Sequence, residues 1–419
     1  MRARFLDAAL PGGRARRPVL LLSLGTFALG TDAFVVSGVL PQVGHDLSVG
    51  MGSAGLLVTV FSAAYAVSAP VLAVATGTLC RRRILLIALA VFVLANLLAA
   101  LAPGYGIMIV ARVLAALAAA LYTPAATASA AAIAAPEERG RALTAVLGGL
   151  TLANALGVPL GTLIAHGFAW RTTFVFVALL GALALFGLSR SLGPLPAGGT
   201  ASLRERVSAF RIRTVPTTLT ATALAVCGVF AIYTYLAWFA DRTAGIDGGA
   251  VTVVYLTFGV AAVISNLLAG TLIDRVPPLR VAAVAMAGLT VAFGGLALTG
   301  LFGRHNTATA VAVCLIVAGW SLVGWMFNPA QQQRLLTAAG AQGQVVLSLN
   351  ASALYAGQAA GGALGGLLLA HGTTALPLGG VACVLAAMVF LALSARRPLA
   401  AAASARPANS PAPARQSAS

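Results

Sequence analysis

Two residues carry the chemistry this chain can perform inside an apolar environment. Leu20 to Val43, LLLSLGTFALGTDAFVVSGVLPQV, is long enough to cross a bilayer as a helix, and it holds one carboxylate, Asp32. An acid at bilayer depth costs about 3 kcal/mol on insertion scales, and such groups face a bundle interior or a wet cavity, where they carry ions or protons. Arg112 lies inside another apolar run, residues 105–133. At about 1.5 Å per helical residue, Asp32 is roughly 16 Å from the end of its span near Val43, and Arg112 roughly 12 Å from the end of its own near Gly104. The two share a level. A pair at that depth is either a permanent strut between two helices or a switch, in which Asp32 is charged beside Arg112 and takes up a proton when the two separate.

Composition sets the environment that must position them. With 60% apolar residues, 8% charged residues and a mean hydropathy of +0.96, the chain is an integral membrane protein. Its basic residues are all arginine, and most fall in short gaps between apolar runs, which marks membrane topology and excludes a nucleic-acid surface. Cys80, Cys227, Cys314 and Cys383 have no paired spacing, so neither a disulfide framework nor a metal cluster is expected. His45, His166, His305 and His371 all fall at span ends on one side, without ligand spacing, and no metal site is assigned to them.

The expected fold is an all-α membrane protein of twelve transmembrane helices in two pseudo-symmetric six-helix halves. After the first span, segments of crossing length recur near 54–77, 82–101, 105–133, 141–165 and 171–190, then near 214–240, 250–273, 279–302, 307–331, 344–370 and 374–395. The domains are an N-terminal segment 1–17, a first half 18–190, a linker 191–213, a second half 214–395 and a tail 396–419. Alternate gaps and both termini hold 22 arginines, against Arg171, Arg242 and Arg304 on the opposite side, so both termini are expected in the cytoplasm of a plasma-membrane protein.

In the linker, Ser202 and Glu205 form a capping-box pattern, and Leu203, Val207 and Phe210 share a helical face, which predicts a short amphipathic helix on the cytoplasmic surface. The tail is rich in proline, alanine and serine and is expected to be disordered. A loose repeat supports the division. LGVPLGTLIAHG returns as GGALGGLLLAHG at an offset of 205, placing Gly157 on Gly362, Gly161 on Gly366, His166 on His371 and Pro124 on Pro329. GTL at Gly77 returns at Gly270. Paired six-span halves around a midplane site are a common transporter plan.

Several stretches carry a family resemblance: LGTDAFVVSGVLPQVGHDL in the first span, ARVLAAL in the fourth, NALGVPLGTL in the fifth with WRTTF after it, and GTLIDRVPPLR after the eighth. They resemble the major facilitator superfamily in its twelve-span drug and proton antiporter branch, near the arabinose-efflux-like and chloramphenicol-resistance-like exporters. The resemblance covers essentially the whole membrane region. It implies a conformational motif at Gly77, Arg81, Arg82 and Arg83, whose usual aspartate is missing here, and a second copy at Gly270, Asp274 and Arg275 that retains it as a charge latch. Arg112 matches the family arginine, while Ala115 and Ala116 replace its usual glutamine and glycine. Gly149, Gly157 and Gly161 of the fifth span permit close helix approach, and Pro159 removes a backbone hydrogen bond; the resemblance associates this segment with exchange, the alternative being plain small-residue packing.

For a substrate, the candidate contacts are Tyr65, Tyr122, Asn154, Tyr233, Asn266, Trp325, Asn328, Tyr355 and Gln358, with Asn350 a further interior amide. Of the second-half aromatics Tyr233, Tyr235, Trp238, Phe258, Trp320, Trp325 and Tyr355, most are expected at the lipid or the interfacial belt. An apolar cavity with a few amides suits a small amphipathic molecule. The expected activity is export of a drug or metabolite in exchange for protons by alternating access, without an organic or metal cofactor and as a monomer. A sugar or nutrient permease is the alternative, and an intramembrane enzyme or receptor a remote one, since no span contains a catalytic constellation.

Overall fold

The structure, a computed structural model, describes residues 11–195 and 203–395. Among them are twelve helical segments long and apolar enough to cross a membrane: α1 (Arg16–Asp46), α2 (Met51–Ala75), α3 (Arg81–Ala100), α4 (Tyr105–Ile133), α5 (Pro136–Gly167), α6 (Trp170–Ser191), α7 (Thr214–Tyr233), α8 (Gly248–Arg275), α9 (Pro278–Phe302), α10 (Thr307–Ala339), α11 (Gly343–His371) and α12 (Ala375–Ala395). Helix is the form in which a lipid-embedded segment satisfies its own backbone groups. The first span is longer than its apolar run, because Arg16, Arg17 and Asp46 extend the same helix beyond it.

Three spans are interrupted. In α5 a π-helical turn occupies Ala153–Gly157, directly before Pro159, whose missing N–H and bulky ring disturb the preceding turn. α10 breaks at Trp325 and Met326, and Pro329 frees the carbonyl four residues before it. α7 ends at Tyr233, and a separate short helix, Leu236–Ala244, continues the span. The expected span 214–240 is therefore two pieces, and the expected span ending near 331 extends to Ala339. Arg334 thus lies within α10, donating to Gln331 Oε1 at 2.6 Å and Ser394 Oγ at 2.5 Å, where a loop position was expected.

Each half has its own core. Phe92, Tyr122 and Leu89 anchor the first, and Tyr233, Phe293 and Trp320 the second. Buried Tyr233, Tyr235, Phe258 and Trp320 overturn the expectation that most second-half aromatics meet lipid or the interface. Their rings pack on one another in the protein interior, Phe258 edge-on to Trp320 at 5.2 Å and Tyr233 tilted against Phe258 at 4.9 Å, because aromatic pairs pack densely where lipid offers no comparable gain.

The halves meet most closely from the middle to the arginine-poor end. There a mixed cluster joins Val36, Val39, Leu57 and Phe174 of the first half to Tyr235 and Leu376 of the second. At the arginine-rich end the described residues form no mixed cluster of that kind. The cluster there unites the linker and second half through Ala209, Val215, Leu335 and Val346. The linker helix, Leu203–Ala209, is present, with Val207 and Phe210 exposed. It is also clamped to α11: Arg206 is buried and donates to Ser348 Oγ at 2.7 Å, and burial lowers its pKa. Ser202 of the capping box and the tail 396–419 lie outside the described residues.

Candidate proton and substrate site

Asp32 and Arg112 touch. Arg112 Nη1 donates to Asp32 Oδ1 at 2.8 Å, and Nη2 lies 3.4 Å from the Asp32 main-chain oxygen. The side chains are 0% and 2% exposed, so bulk water contributes little to balancing either charge. Asp32 Oδ2 and Arg112 Nε have no hydrogen-bond partner among the described residues, and the guanidinium carbon lies 4.6 Å from the centre of the Phe61 ring on α2. The pair is well matched but incompletely satisfied. A carboxylate with a free oxygen in a dry site is an acceptor for a proton, and a proton there would weaken the charge-assisted bond at the other oxygen.

The glycines of α5 seat the helix that carries Asp32. A methyl group at Gly149 would fall 2.2 Å from Thr26 Oγ1, at Gly157 2.0 Å from Thr31 Oγ1, and at Gly161 2.5 Å from Val35 Cγ2. Thr26 donates to the Val146 carbonyl at 2.6 Å, so the α1–α5 approach is close along three turns. Small-residue packing is therefore a real role of this stripe, and it fixes the residue adjacent to the acid.

Two seams join the halves. On α2 and α11, Tyr235 donates to the Gly362 carbonyl at 2.8 Å while its hydroxyl occupies the space beside Gly55, and Tyr65 stacks on Tyr355 with ring centres 3.6 Å apart. On α5 and α8, Asn266 donates to Thr151 Oγ1 at 3.0 Å, and Gly259 lies against the main chain of the π-helical turn. A methyl group at Gly259 would stand 2.2 Å from the Asn154 carbonyl oxygen. The repeat positions are thus not equivalent: Gly157 accommodates Thr31 of its own half, whereas Gly362 accommodates Thr59 of the other.

The predicted substrate contacts separate into groups. Tyr65 and Tyr355 come together, with Gln358 one turn further along α11, buried and with Nε2 unpartnered. Asn154 and Asn266 flank the α5–α8 seam. Asn350 donates to Asn328 Oδ1 at 3.0 Å within the second half. Half-buried Trp325 packs on the second-half core, and Tyr233 belongs to it. Tyr122 is committed elsewhere, donating to the Leu22 carbonyl at 3.0 Å beneath Gly25, which makes it a packing residue of α1 and α4.

The conformational motif sits at the arginine-rich end. Gly77 lies in the turn after α2, Arg81 opens α3, Arg83 is exposed two residues on, and Arg82 donates to the Ser189 carbonyl at 2.9 Å, at the negative end of the α6 dipole. Gly270, Asp274 and Arg275 are exposed, and Asp274 makes no ion pair among the described residues, so the latch is not closed in this arrangement. At the opposite end Asp46 pairs with Arg171 and accepts from Trp170 Nε1 at 2.9 Å, joining the HDL and WRTTF stretches. A cavity of about 80 Å³ lies there between Gln42, His166, Asp241 and Asp247, and no metal-holding cluster occurs among the described residues.

Sequence reasoning missed Phe61, Thr151 and Gly259. Phe61 precedes Tyr65 by four residues and therefore shares its helical face, a signal that was available. Thr151 and Gly259 carry no local signal, since their role depends on the opposite half.

The chain matches the family profile of the Major Facilitator Superfamily over residues 22–346. It is 32% identical over 351 residues to the MFS-type transporter YbcL of Bacillus subtilis, covering 84% of this chain and 88% of that one. It is 31% identical to the chloramphenicol resistance protein of Streptomyces lividans, covering 85% and 90%, and 26% identical to a probable sugar efflux transporter of Mannheimia succiniciproducens, covering 90% and 94%. Among solved structures, a D-xylose–proton symporter superimposes with a TM-score of 0.74 at 14% identity, covering 90% of this chain and 98% of that one, which establishes likeness of fold.

Proposed function

The chain belongs to the major facilitator superfamily, and on that premise we propose that it exports a small amphipathic drug or metabolite in exchange for protons. The protein is a multi-pass membrane transporter of small molecules. The observation that carries the finer reading is the buried Asp32–Arg112 pair, because no other acid among the described residues lies away from the span ends and loops. The arginine bias supports an arginine-rich face in the cytoplasm, with both termini there, in the plasma membrane. The chain works as a monomer, since each half already supplies its partner.

In this reading the mixed cluster of the two halves closes the end opposite the arginines, and Asp32 is ionised while it holds Arg112. Substrate enters from the cytoplasmic side against the Tyr65, Tyr355 and Gln358 surface. Rearrangement of the halves opens the outer side, where substrate leaves and Asp32 takes a proton. The neutral acid returns inward and releases its proton to the cytoplasm. The energy source is the proton gradient. Similarity to a chloramphenicol resistance protein supports an antibiotic substrate, and similarity to a probable sugar efflux transporter makes a sugar the second reading.

The test is gradient-driven accumulation in everted membrane vesicles, with chloramphenicol and arabinose among the probes. Asp32→Asn keeps the size and removes the titratable charge, so it should abolish uphill accumulation and leave downhill exchange. Accumulation at the wild-type level in the Asn variant would remove Asp32 from the mechanism and leave the pair a strut. Transport confined to sugars would replace the drug reading.

A further inference from the structure

We propose that Phe61 is a positioning residue through which the proton state of Asp32 is felt in the opposite half; the inference rests on Asp32 being the proton carrier. Arg112 has three neighbours for its charge: Asp32 Oδ1 at 2.8 Å, the Asp32 main-chain oxygen at 3.4 Å, and the face of Phe61 at 4.6 Å. Phe61 is buried, and its ring centre lies 6.5 Å from that of Tyr355, which stacks in turn on Tyr65 at 3.6 Å. Phe61 and Tyr65 belong to α2, Tyr355 to α11. The proton site is therefore two side chains removed from the other half.

The chemistry gives that geometry a direction. Guanidinium does not deprotonate in proteins, so when Asp32 becomes neutral the charge of Arg112 remains. With the proton on the unpartnered Oδ2, Oδ1 remains only a neutral acceptor and the ion pair falls to a weaker bond, so the negative face of Phe61, which acts more strongly in a desolvated site than in water, takes a larger share of holding the cation. The elements packed against α1 and α4 offer no charge that substitutes for the carboxylate. α2 presents Phe61 and Tyr65, α11 presents Tyr355 behind them, and the charged groups of α1, α3, α5 and α6 other than Asp32 stand at their ends: Arg16, Arg17, His45 and Asp46, then Arg81, Arg82 and Arg83, then Glu137, Glu138, Arg139, Arg141, His166, Arg171 and Arg190. Protonation thus draws Arg112 toward the ring, and the ring bears on Tyr355 at the seam that must slide when the halves rock. Phe61 converts a change of charge on α1 into a change of packing on α11.

The experiment needs no substrate. In a chain whose four cysteines are replaced, spin labels on Cys introduced at exposed Ala132 of α4 and Thr337 of α10 report the separation of the arginine-rich ends in lipid across an acid-to-alkaline series. Wild type should show two distance populations whose ratio follows pH, and Asp32→Asn one ratio throughout. Phe61→Leu keeps an apolar side chain without the aromatic face and should change the population ratio at least tenfold at the wild-type midpoint, while Phe61→Tyr follows wild type. A Leu variant that titrates as wild type, or a Tyr variant that behaves as the Leu variant, overturns the relay and leaves the proton carrier intact. An Asp32→Asn variant that still titrates overturns the carrier instead. Should the Leu variant fail to fold, Tyr355→Leu interrogates the same path from the second half, and a wild-type titration there overturns the relay.

Discussion

A methyl group at Gly259 tests whether the α5–α8 seam belongs to one arrangement of the halves. The added carbon of Gly259→Ala would lie 2.2 Å from the Asn154 oxygen, 2.4 Å from Ala155 Cα and 2.7 Å from the Asn154 carbonyl carbon. All three are main-chain atoms, so no rotamer relieves the overlap, and ordinary contact requires the two backbones to part by about 1 Å. Overpacking of this kind costs about 1–3 kcal/mol. Because the overlap crosses between halves, the cost falls on the arrangement in which they touch here, shifting the equilibrium away from it by roughly 5- to 150-fold. The assay is the ratio of the two distance populations between labels on α4 and α10 at fixed pH. Gly157→Ala is the contrast: its overlap with Thr31 is inside one half, so it should lower stability and protein level without moving the ratio. Gly294→Ala, with nothing within 4 Å, should change neither. A Gly259→Ala ratio equal to wild type would refute the assignment of this seam to one state.

Three further outcomes are expected. Arg112→Gln leaves a buried carboxylate without its cation and should cost about 3–5 kcal/mol, seen as a lower melting temperature in detergent, and adding Asp32→Asn should restore most of it. Tyr235→Phe removes the bond to the Gly362 carbonyl, which lies inside the second half, while keeping the ring, and should lower stability by about 1 kcal/mol, read from the melting temperature in detergent. A membrane-impermeant maleimide should label Cys80, in the turn before α3, in everted vesicles and not in intact cells; the reverse pattern would invert the orientation.

The number of spans and the Asp32–Arg112 pair were legible because isolated charges stand out against long apolar runs and depth follows from a constant rise per residue. What the aromatics do was not legible. When both faces of a helix are apolar, periodicity cannot separate a ring that meets lipid from one that meets protein, so the expectation that most second-half aromatics meet lipid fails at buried Tyr235, Phe258 and Trp320. Prolines were a partial guide to breaks: Pro159 and Pro329 each follow one, but Pro41, Pro70 and Pro124 lie in unbroken helices and α7 ends without a proline at its break. The seams depend on which helices face each other across the halves, and single-span patterns hold no record of that. The clamp of Arg206 on Ser348 was hidden for the same reason, its partner lying 142 residues away.

The meeting of Gly259 with the main chain of the π-helical turn also bears on insulation. A transporter that runs on a gradient must not short-circuit it, and side chains that hop between rotamers open brief gaps through which water can thread. Main chain laid on main chain has no rotamers to hop between. At this point the wall between the two compartments is built from the least fluctuating part of the polypeptide, and whatever crosses must do so through the cycle rather than around it.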